Sequence, residues 1–325
     1  MKVIRGSRPP GGGGEAGLDD RIRAAETAAY ATYGVVGREQ LVSVDTGAGQ
    51  VSVRLTLFGP EHSEQPPVLL LHGIGSVTVL AAPLLAHLPG RRVIALDWPG
   101  HGLSGPCVLA AKTNIRRHAV TTIKALLDQL GIDKVDVVGH SLGGQFALYA
   151  GLDLPDRVRR LALLGAPGAG FGGVKPLLAM VIAAVPRLGP LLLSRRLNES
   201  MFVRTSEMAL GKGALDAVPA GLVTAGTLIA HRPGVPDSLA SFFRALLRGR
   251  SVRTGVALIF DELGTLTQPA LLVWGDQDVF LAPTGAASSI TSIRDCHLLR
   301  LLDAGHAPWL QHDALVGAAV ARHLS

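Results

Sequence analysis

Charged and aromatic side chains are both scarce in this chain, and their scarcity excludes several classes of protein. Aromatic residues make up 4% of the 325 positions, charged residues make up 17%, and the formal net charge is only +6. The basic residues are scattered and are not interleaved with the aromatics on which single-stranded nucleic acids stack, so we expect no nucleic-acid partner. With 48% hydrophobic residues, the chain can build a large core, mainly from alanine, valine and leucine.

Cysteine is nearly absent, and the usual metal-binding spacings are missing altogether. Cys107 and Cys296 lie far apart in the sequence, and we expect two reduced thiols rather than a disulfide. Neither paired cysteines nor a His-Glu-x-x-His motif occurs, and the sequence therefore implies no metal site and no cofactor.

Long uninterrupted apolar runs are missing as well. The longest, 176–193, is broken by Pro186, Arg187 and Pro190, whereas a membrane-spanning helix needs about 20 mostly apolar residues. The first 17 residues contain two prolines and four consecutive glycines but no apolar stretch of the kind a secretory signal requires, so they are predicted to be a flexible leader. We expect a cytoplasmic protein without a stable membrane span.

The apolar pattern that is present predicts an α/β fold. Residues 18–33 have helical spacing, and the alternating segments 40–44 and 50–58 predict a hairpin. From residue 67 onward, short and mostly apolar runs are separated by helical lengths, which is typical of parallel strands covered on both faces. These runs are 68–71, 92–96, 134–138, 158–164, 269–274 and 296–302.

The strand rhythm also predicts the division into domains. It stops between 168 and 262, where apolar helical segments predict an inserted helical lid. We therefore expect a core made of 18–167 and 263–325, a cap of 168–262 and the leader 1–17. Most of the core strands run into glycine-rich loops, and in open parallel sheets the crevice outside the carboxyl ends of the strands holds the ligand.

One loop carries the strongest chemical signal. The run Gly139-His140-Ser141-Leu142-Gly143 follows a β-branched strand and precedes a helical segment, which is the context that a nucleophile elbow requires. The pentapeptide alone is weak evidence in a chain with 40 glycines. In that context, however, it predicts an exposed hydroxyl of Ser141 at a helix N-terminus, where developing negative charge is favoured.

A serine nucleophile needs a base, and the base needs a group that orients it. His306 lies between a predicted strand and the last helix, and two carboxylates, Asp276 and Asp278, follow the preceding predicted strand. The chain order serine, aspartate, histidine is the order expected for this architecture.

Five motifs in this order resemble those of the α/β-hydrolase fold family with a helical cap. They are His72-Gly73-Ile74-Gly75, Asp97-Trp98-Pro99-Gly100-His101-Gly102-Leu103-Ser104, the elbow, Trp274-Gly275-x-x-Asp278 and Gly305-His306. The resemblance covers 40–324 and implies a mostly parallel eight-stranded sheet flanked by helices. It also implies the triad Ser141, Asp278 and His306, and it favours Asp278 over Asp276 as the acid.

The oxyanion of acyl transfer needs two backbone donors. The N–H of Leu142 follows the nucleophile directly, and the second donor is expected from the loop after the third strand, with Ile74 as the first choice and Gly75 as the alternative. Side-chain replacement tests such backbone roles poorly.

A serine at the elbow points to carbonyl chemistry, and hydrolysis of a carboxylic ester through an acyl-enzyme is the predicted reaction. The same triad resembles that of C–C bond hydrolases, thioesterases, acyltransferases and cofactor-free haloperoxidases, and a non-catalytic ligand receptor is a further alternative. We expect a small-molecule substrate with an apolar portion, held under the cap. The cap segment carries eleven lysines and arginines against six acids, which would suit an anionic substrate, an acidic carrier protein, a membrane surface or simply a solvated face.

Overall fold

A computed structural model describes residues 15–254 and 260–325. Residues 1–14, which form most of the predicted leader, lie outside the described residues. The first described element, helix α1, spans Glu15–Thr32 and begins three residues earlier than the apolar spacing predicted.

An eight-stranded, mostly parallel sheet forms the centre of the molecule. The strands are β1 Arg38–Asp45, β2 Gln50–Phe58, β3 Val68–Leu71, β4 Val93–Leu96, β5 Val135–His140, β6 Val158–Leu164, β7 Leu247–Arg248, β8 Ser251–Val252, β9 Ala270–Gly275 and β10 Cys296–Leu301. The sheet order is β1-β2-β4-β3-β5-β6-β9-β10, while β7 and β8 pair separately. The pairs β1–β2 and β2–β4 are antiparallel, and the other sheet neighbours are parallel.

Helices cover both faces of this sheet, as the short apolar runs predicted. They are α2 Ala82–Leu85, α3 Ile115–Gln129, α4 Leu142–Asp153, α5 Leu178–Ala183, α6 Leu188–Leu193, α7 Glu199–Leu210, α8 Ala220–Ala230, α9 Val235–Leu246, α10 Ala287–Ser292 and α11 Asp313–Leu324. Every residue of β3, β4, β5 and β9 is buried, because these strands are sandwiched between helices. Two apolar clusters form the core, one on each side of the sheet.

Between β6 and β9 the structure has the five helices α5 to α9 and the two-residue strands β7 and β8. The sequence pattern predicted the helices but not this small hairpin. Helix α1 packs against α8 at Gly221, where an added Cβ would lie 2.6 Å from the carbonyl oxygen of Ala25. The absence of a side chain at Gly221 therefore lets α1 and α8 approach closely.

A buried ion cluster ties α1 to the sheet. The Arg54 guanidinium donates to Glu26 of α1, to Asp97 after β4 and to Glu39 of β1. Burial raises the pKa of Glu26 to about 7, although Arg54 opposes the shift. Burial also acts to raise the pKa of Asp97. For Asp97, however, the charge of Arg54 and further hydrogen bonds outweigh burial, and the pKa is lowered. Of the two buried carboxyl groups beside Arg54, Glu26 is therefore the one that binds a proton more readily.

Two further observations concern the described residues. Cys107 and Cys296 are both free thiols. No helix among 15–254 and 260–325 combines the length and the apolar character that crossing a bilayer demands.

Candidate active site

Ser141 occupies a tight turn between β5 and α4. Its backbone has φ 53° and ψ −119°, a conformation that costs a non-glycine residue free energy and persists only where the surroundings enforce it. A Cβ added to Gly139 would lie 2.4 Å from the carbonyl oxygen of Gly143. A Cβ added to Gly143 would lie 2.2 Å from the carbonyl oxygen of Leu71. The two glycines of the predicted elbow are therefore required by close backbone contacts.

The turn places Ser141 at the N-terminus of α4. Leu142 is the first residue of that helix, so its N–H has no acceptor within the helix. Helix α4 is buried from Leu142 to Gly151, so packing holds the helix, and with it the dipole, in one orientation. The hydroxyl of Ser141 is only partly buried and lies where the dipole favours negative charge.

Asp278 and His306 form a buried hydrogen-bonded pair. The Nδ1 of His306 lies 2.7 Å from the Oδ2 of Asp278, which also accepts from the Ala166 N–H at 2.9 Å. The Oδ1 of Asp278 accepts from the Phe280 N–H at 3.0 Å. Burial alone would raise the pKa of Asp278, but His306 and the two backbone donors outweigh it and lower the pKa.

This pairing sets the tautomer of the imidazole. An ionised carboxylate only accepts hydrogen bonds, so Nδ1 carries the proton and donates it to Asp278, leaving Nε2 of neutral His306 with a lone pair. That Nε2 is buried and has no hydrogen-bond partner among the described residues. Ser141 and His306 line the same cavity, but the structure holds no hydrogen bond between them.

The loop after β3 runs directly beside the elbow. An added Cβ on Gly73 would lie 3.0 Å from the Ser141 Cβ, and both Ile74 and Gly75 line the cavity that contains Ser141. The structure thus brings Ile74 and Leu142, the two predicted oxyanion donors, to the same wall of one cavity.

Three neighbouring histidines are buried and held neutral. His72 donates from Nδ1 to the Gly73 carbonyl at 2.8 Å and accepts the Trp98 N–H on Nε2 at 3.0 Å, and burial lowers its pKa. Burial also lowers the pKa of His101 to about 3. It holds the pKa of His140 well below its usual range, and His140 Nε2 donates to the carbonyl of His306. These rings hydrogen-bond to loop backbone and so help to position the loops.

The cavity under the helices α5 to α9 has a volume of about 480 Å³. Its lining is mostly Leu, Ile, Val, Ala, Phe and Gly, and its polar lining residues are all uncharged serine, threonine, glutamine or histidine side chains: Ser76, His101, His140, Ser141, Gln145, Thr205, Ser206 and His306. No lysine, arginine, aspartate or glutamate among the described residues lines it. A charged group of a ligand would therefore be buried there without an ionic partner, which is costly.

The competing carboxylate, Asp276, has another partner. It makes a two-pronged ion pair with Arg300, at 2.9 and 2.7 Å, and Arg300 is what lowers its pKa. Asp278, not Asp276, contacts the imidazole.

The groups that hold Asp278 were not predicted from the sequence. Ala166 follows β6, and Phe280 lies two residues beyond Asp278 with its ring 4.5 Å from that of His306. The only sequence signal for them was their place in loops at the carboxyl ends of neighbouring strands. Within the described residues, no three His, Cys, Asp or Glu side chains gather in a way that could hold a metal ion.

Comparison with known proteins agrees with the fold. A sequence model described as the alpha/beta hydrolase fold matches residues 66–184. Solved structures of similar fold include the carboxylesterase CesB of Bacillus subtilis, with a TM-score of 0.71 and 19% identity over 95% of this chain and 98% of that one. The chain has the α/β-hydrolase fold. Another solved structure of similar fold is the 2-hydroxy-6-oxo-6-phenylhexa-2,4-dienoate hydrolase of Rhodococcus sp. strain RHA1, with a TM-score of 0.69, 22% identity, and coverage of 89% of this chain and 99% of that one.

Among curated proteins, a 2-hydroxy-6-oxononadienedioate/2-hydroxy-6-oxononatrienedioate hydrolase of Klebsiella pneumoniae is 26% identical over 289 residues. The match spans 85% of this chain and 92% of the relative. These findings support hydrolase as the class of enzyme.

Proposed function

We propose that this α/β hydrolase cleaves an uncharged carboxylic ester with an apolar portion, through a covalent acyl-enzyme on Ser141. The observation that carries the proposal is the Nε2 of His306, which has no partner among the described residues. It lies on the wall of a cavity that contains Ser141 and, in the part of the chain that the structure describes, no lysine, arginine, aspartate or glutamate. In this proposal residues 168–262 act as a cap over the core segments 18–167 and 263–325.

The proposed steps use only groups of this chain. Ser141 Oγ attacks the ester carbonyl carbon while His306 Nε2 takes its proton, and the N–H groups of Leu142 and Ile74 donate to the oxyanion. The tetrahedral intermediate collapses, the C–O bond to the alcohol breaks, and His306 returns the proton to the departing alcohol. Water then attacks the acyl-enzyme by the same route and releases the acid. Asp278 holds the imidazole and stabilises its cationic form.

Hydrolysis of C–C bonds is the competing function, because similar proteins are named as hydrolases of 2-hydroxy-6-oxo dienoate or dienedioate compounds. Those names end in dienoate or dienedioate, so each substrate carries at least one carboxylate. The cavity has no cationic lysine or arginine among its described lining residues to pair with it. The absence of a cation favours the neutral ester as the substrate of this chain.

A matched pair of substrates tests this choice. We expect p-nitrophenyl butyrate to be hydrolysed at least about a hundredfold better, in kcat/KM, than p-nitrophenyl hemisuccinate, which has the same chain length but ends in a carboxylate. A fluorophosphonate probe should label Ser141, and Ser141→Ala should abolish both the labelling and the turnover.

The outcomes separate the candidates. Preference for the hemisuccinate, or turnover of 2-hydroxy-6-oxo-6-phenylhexa-2,4-dienoate without turnover of neutral esters, would replace the ester proposal with C–C hydrolysis or another anionic substrate. A wild-type protein that resists the probe and turns over none of these compounds would instead be a ligand receptor.

A further inference from the structure

The outer surface of α5, α6 and α7 carries a concentration of exposed apolar side chains. Of the thirteen large hydrophobic residues exposed within the described part of the chain, six fall between 178 and 208. We call these six the outer cap surface: Leu178, Val185, Leu188, Leu191, Met201 and Met208. Leu178 and Leu191 are 56% and 61% exposed, so this surface is apolar on the solvent side.

The same three helices form part of the cavity wall with different residues. Helix α5 contributes Met180, α6 contributes Leu192, and α7 contributes Phe202, while none of the six outer residues lines the cavity. Thr205 of α7 is exposed and also lines the cavity, and it shares a helix face with Met201 and Met208. Thr205 therefore belongs both to the cavity lining and to the exposed side of α7.

Positive charge is concentrated in the segment that carries this surface. From 168 to 212 the chain has six lysines and arginines and two glutamates, and from 168 to 198 it has no acid at all. The six cations are Lys175, Arg187, Arg195, Arg196, Arg204 and Lys212, and none of them forms an ion pair with another described residue. Glu199, one of the two acids, accepts a hydrogen bond from Thr224.

This combination fits a lipid surface better than a protein. Protein interfaces are centred on tryptophan, tyrosine and arginine, whereas leucine and valine are under-represented among their hot spots. The outer cap surface has no aromatic member, and it combines aliphatic side chains with free cations. Aliphatic groups partition into the headgroup and acyl boundary of a bilayer, and lysine and arginine bind anionic headgroups.

We propose that the outer cap surface docks reversibly on an anionic lipid surface and places the cavity opening against it. An apolar, uncharged ester dissolved in the lipid then enters the cavity without crossing water. The docking stands on the described surface alone, while the delivery of substrate rests on the proposed function.

Vesicle sedimentation of the full-length protein tests the docking. We expect the wild-type protein to sediment with phosphatidylcholine vesicles that contain about one-third phosphatidylglycerol, and to be released by salt, because screening weakens the attraction. Binding to vesicles of phosphatidylcholine alone should be at least about tenfold weaker. Sedimentation with neither vesicle, or equally with both, would overturn the proposal and leave a soluble acidic protein as the partner to test.

Two double variants and one matched control assign the binding to this surface. Arg195→Gln/Arg196→Gln and Leu188→Ala/Leu191→Ala should each weaken binding to the anionic vesicles by about tenfold or more. The control Val36→Ala/Arg294→Gln removes an apolar residue and a cation that are also exposed but lie outside the cap, and should bind as the wild type does. Wild-type affinity in both cap variants would refute the assignment.

Hydrolysis assays separate this inference from the proposed function. Both cap variants should hydrolyse dissolved p-nitrophenyl butyrate at the wild-type rate, because none of the changed side chains lines the cavity. They should lose at least about tenfold against a long-chain ester embedded in the anionic vesicles. If the wild type hydrolyses no ester, the proposed function fails, and the vesicle sedimentation still reports on docking.

Discussion

Asp278→Asn changes one carboxylate oxygen into an NH₂ group, and the structure shows that neither orientation of the amide satisfies the three donors around it. With its oxygen toward Ala166 and His306, the amide turns its NH₂ group against the Phe280 N–H, which is 3.0 Å away. In the other orientation the NH₂ group faces the Ala166 N–H and the His306 Nδ1, at 2.9 and 2.7 Å. His306 then accepts on Nδ1 and carries its proton on Nε2, where the base is needed.

Both orientations should lower the rate at modest cost in stability: the first leaves a neutral amide where a carboxylate stabilises the cationic imidazole, and the second fixes the wrong tautomer. Loss of the correct tautomer should lower kcat for p-nitrophenyl butyrate by about 10³–10⁴, equivalent to about 4–5 kcal/mol in the activation barrier. The unsatisfied buried donor should lower the free energy of unfolding by about 1–3 kcal/mol. Steady-state kinetics at saturating ester and urea denaturation followed by circular dichroism measure the two effects.

Asp276→Asn is the matched control, since it makes the same chemical change two residues away. Asp276 contacts the exposed Arg300 and not the imidazole, so kcat should stay within about twofold of wild type. A large loss in Asp276→Asn with normal activity in Asp278→Asn would show that the acid has been assigned to the wrong carboxylate. Full activity in both variants would refute the whole relay of Ser141, His306 and an acid.

Three further predictions follow from individual contacts. Gly143→Ala forces a Cβ against the backbone at the end of β3 and should lower the free energy of unfolding by about 3 kcal/mol. At Gly17 an added Cβ would meet no other atom, so Gly17→Ala should raise the free energy of unfolding by up to about 1 kcal/mol. Chemical denaturation measures both changes. Burial raises the pKa of Glu26 from 4.5 to about 7, so the wild type should lose stability as the pH rises through that interval, because the folded state then loses its extra proton. Glu26→Gln should show no such loss. Melting temperatures that change equally with pH in both proteins would contradict this. Thr205→Lys places a cation in the cavity lining and should raise kcat/KM for p-nitrophenyl hemisuccinate by about two- to fivefold, with Thr32→Lys on α1 as the control that leaves it unchanged.

Most of the secondary structure could be predicted from the sequence because it depends on local pattern. The apolar run 68–71 coincides with β3, since a strand buried on both faces must be apolar along its whole length. The predicted strand 158–164 coincides with β6, in which Arg159 and Arg160 are only partly buried and the apolar residues from Leu161 onward are fully buried. Helix ends were less accurate. The predicted helix after 308 begins as the 3₁₀ turn Pro308–Leu310, and α11 itself starts at Asp313.

The candidate site was partly predictable for the same reason. The elbow glycines are a local steric requirement, and an added Cβ at Gly139 or Gly143 would indeed meet backbone atoms. The roles of Ser141, Asp278 and His306 stay predictions, because the described geometry brings the acid and the imidazole into contact but shows no bond from the imidazole to the serine.

Tertiary structure alone decided which charged side chains contact one another and which are kept out of the cavity. Arg54 joins Glu26 and Asp97, which lie 28 and 43 residues away in the sequence, and the pKa of each carboxyl depends on burial and on charges contributed by other elements. The cap segment is rich in lysine and arginine, yet none of its described cations lines the cavity. Composition could not reveal this, because the side of a helix on which a charge lies depends on what the helix packs against.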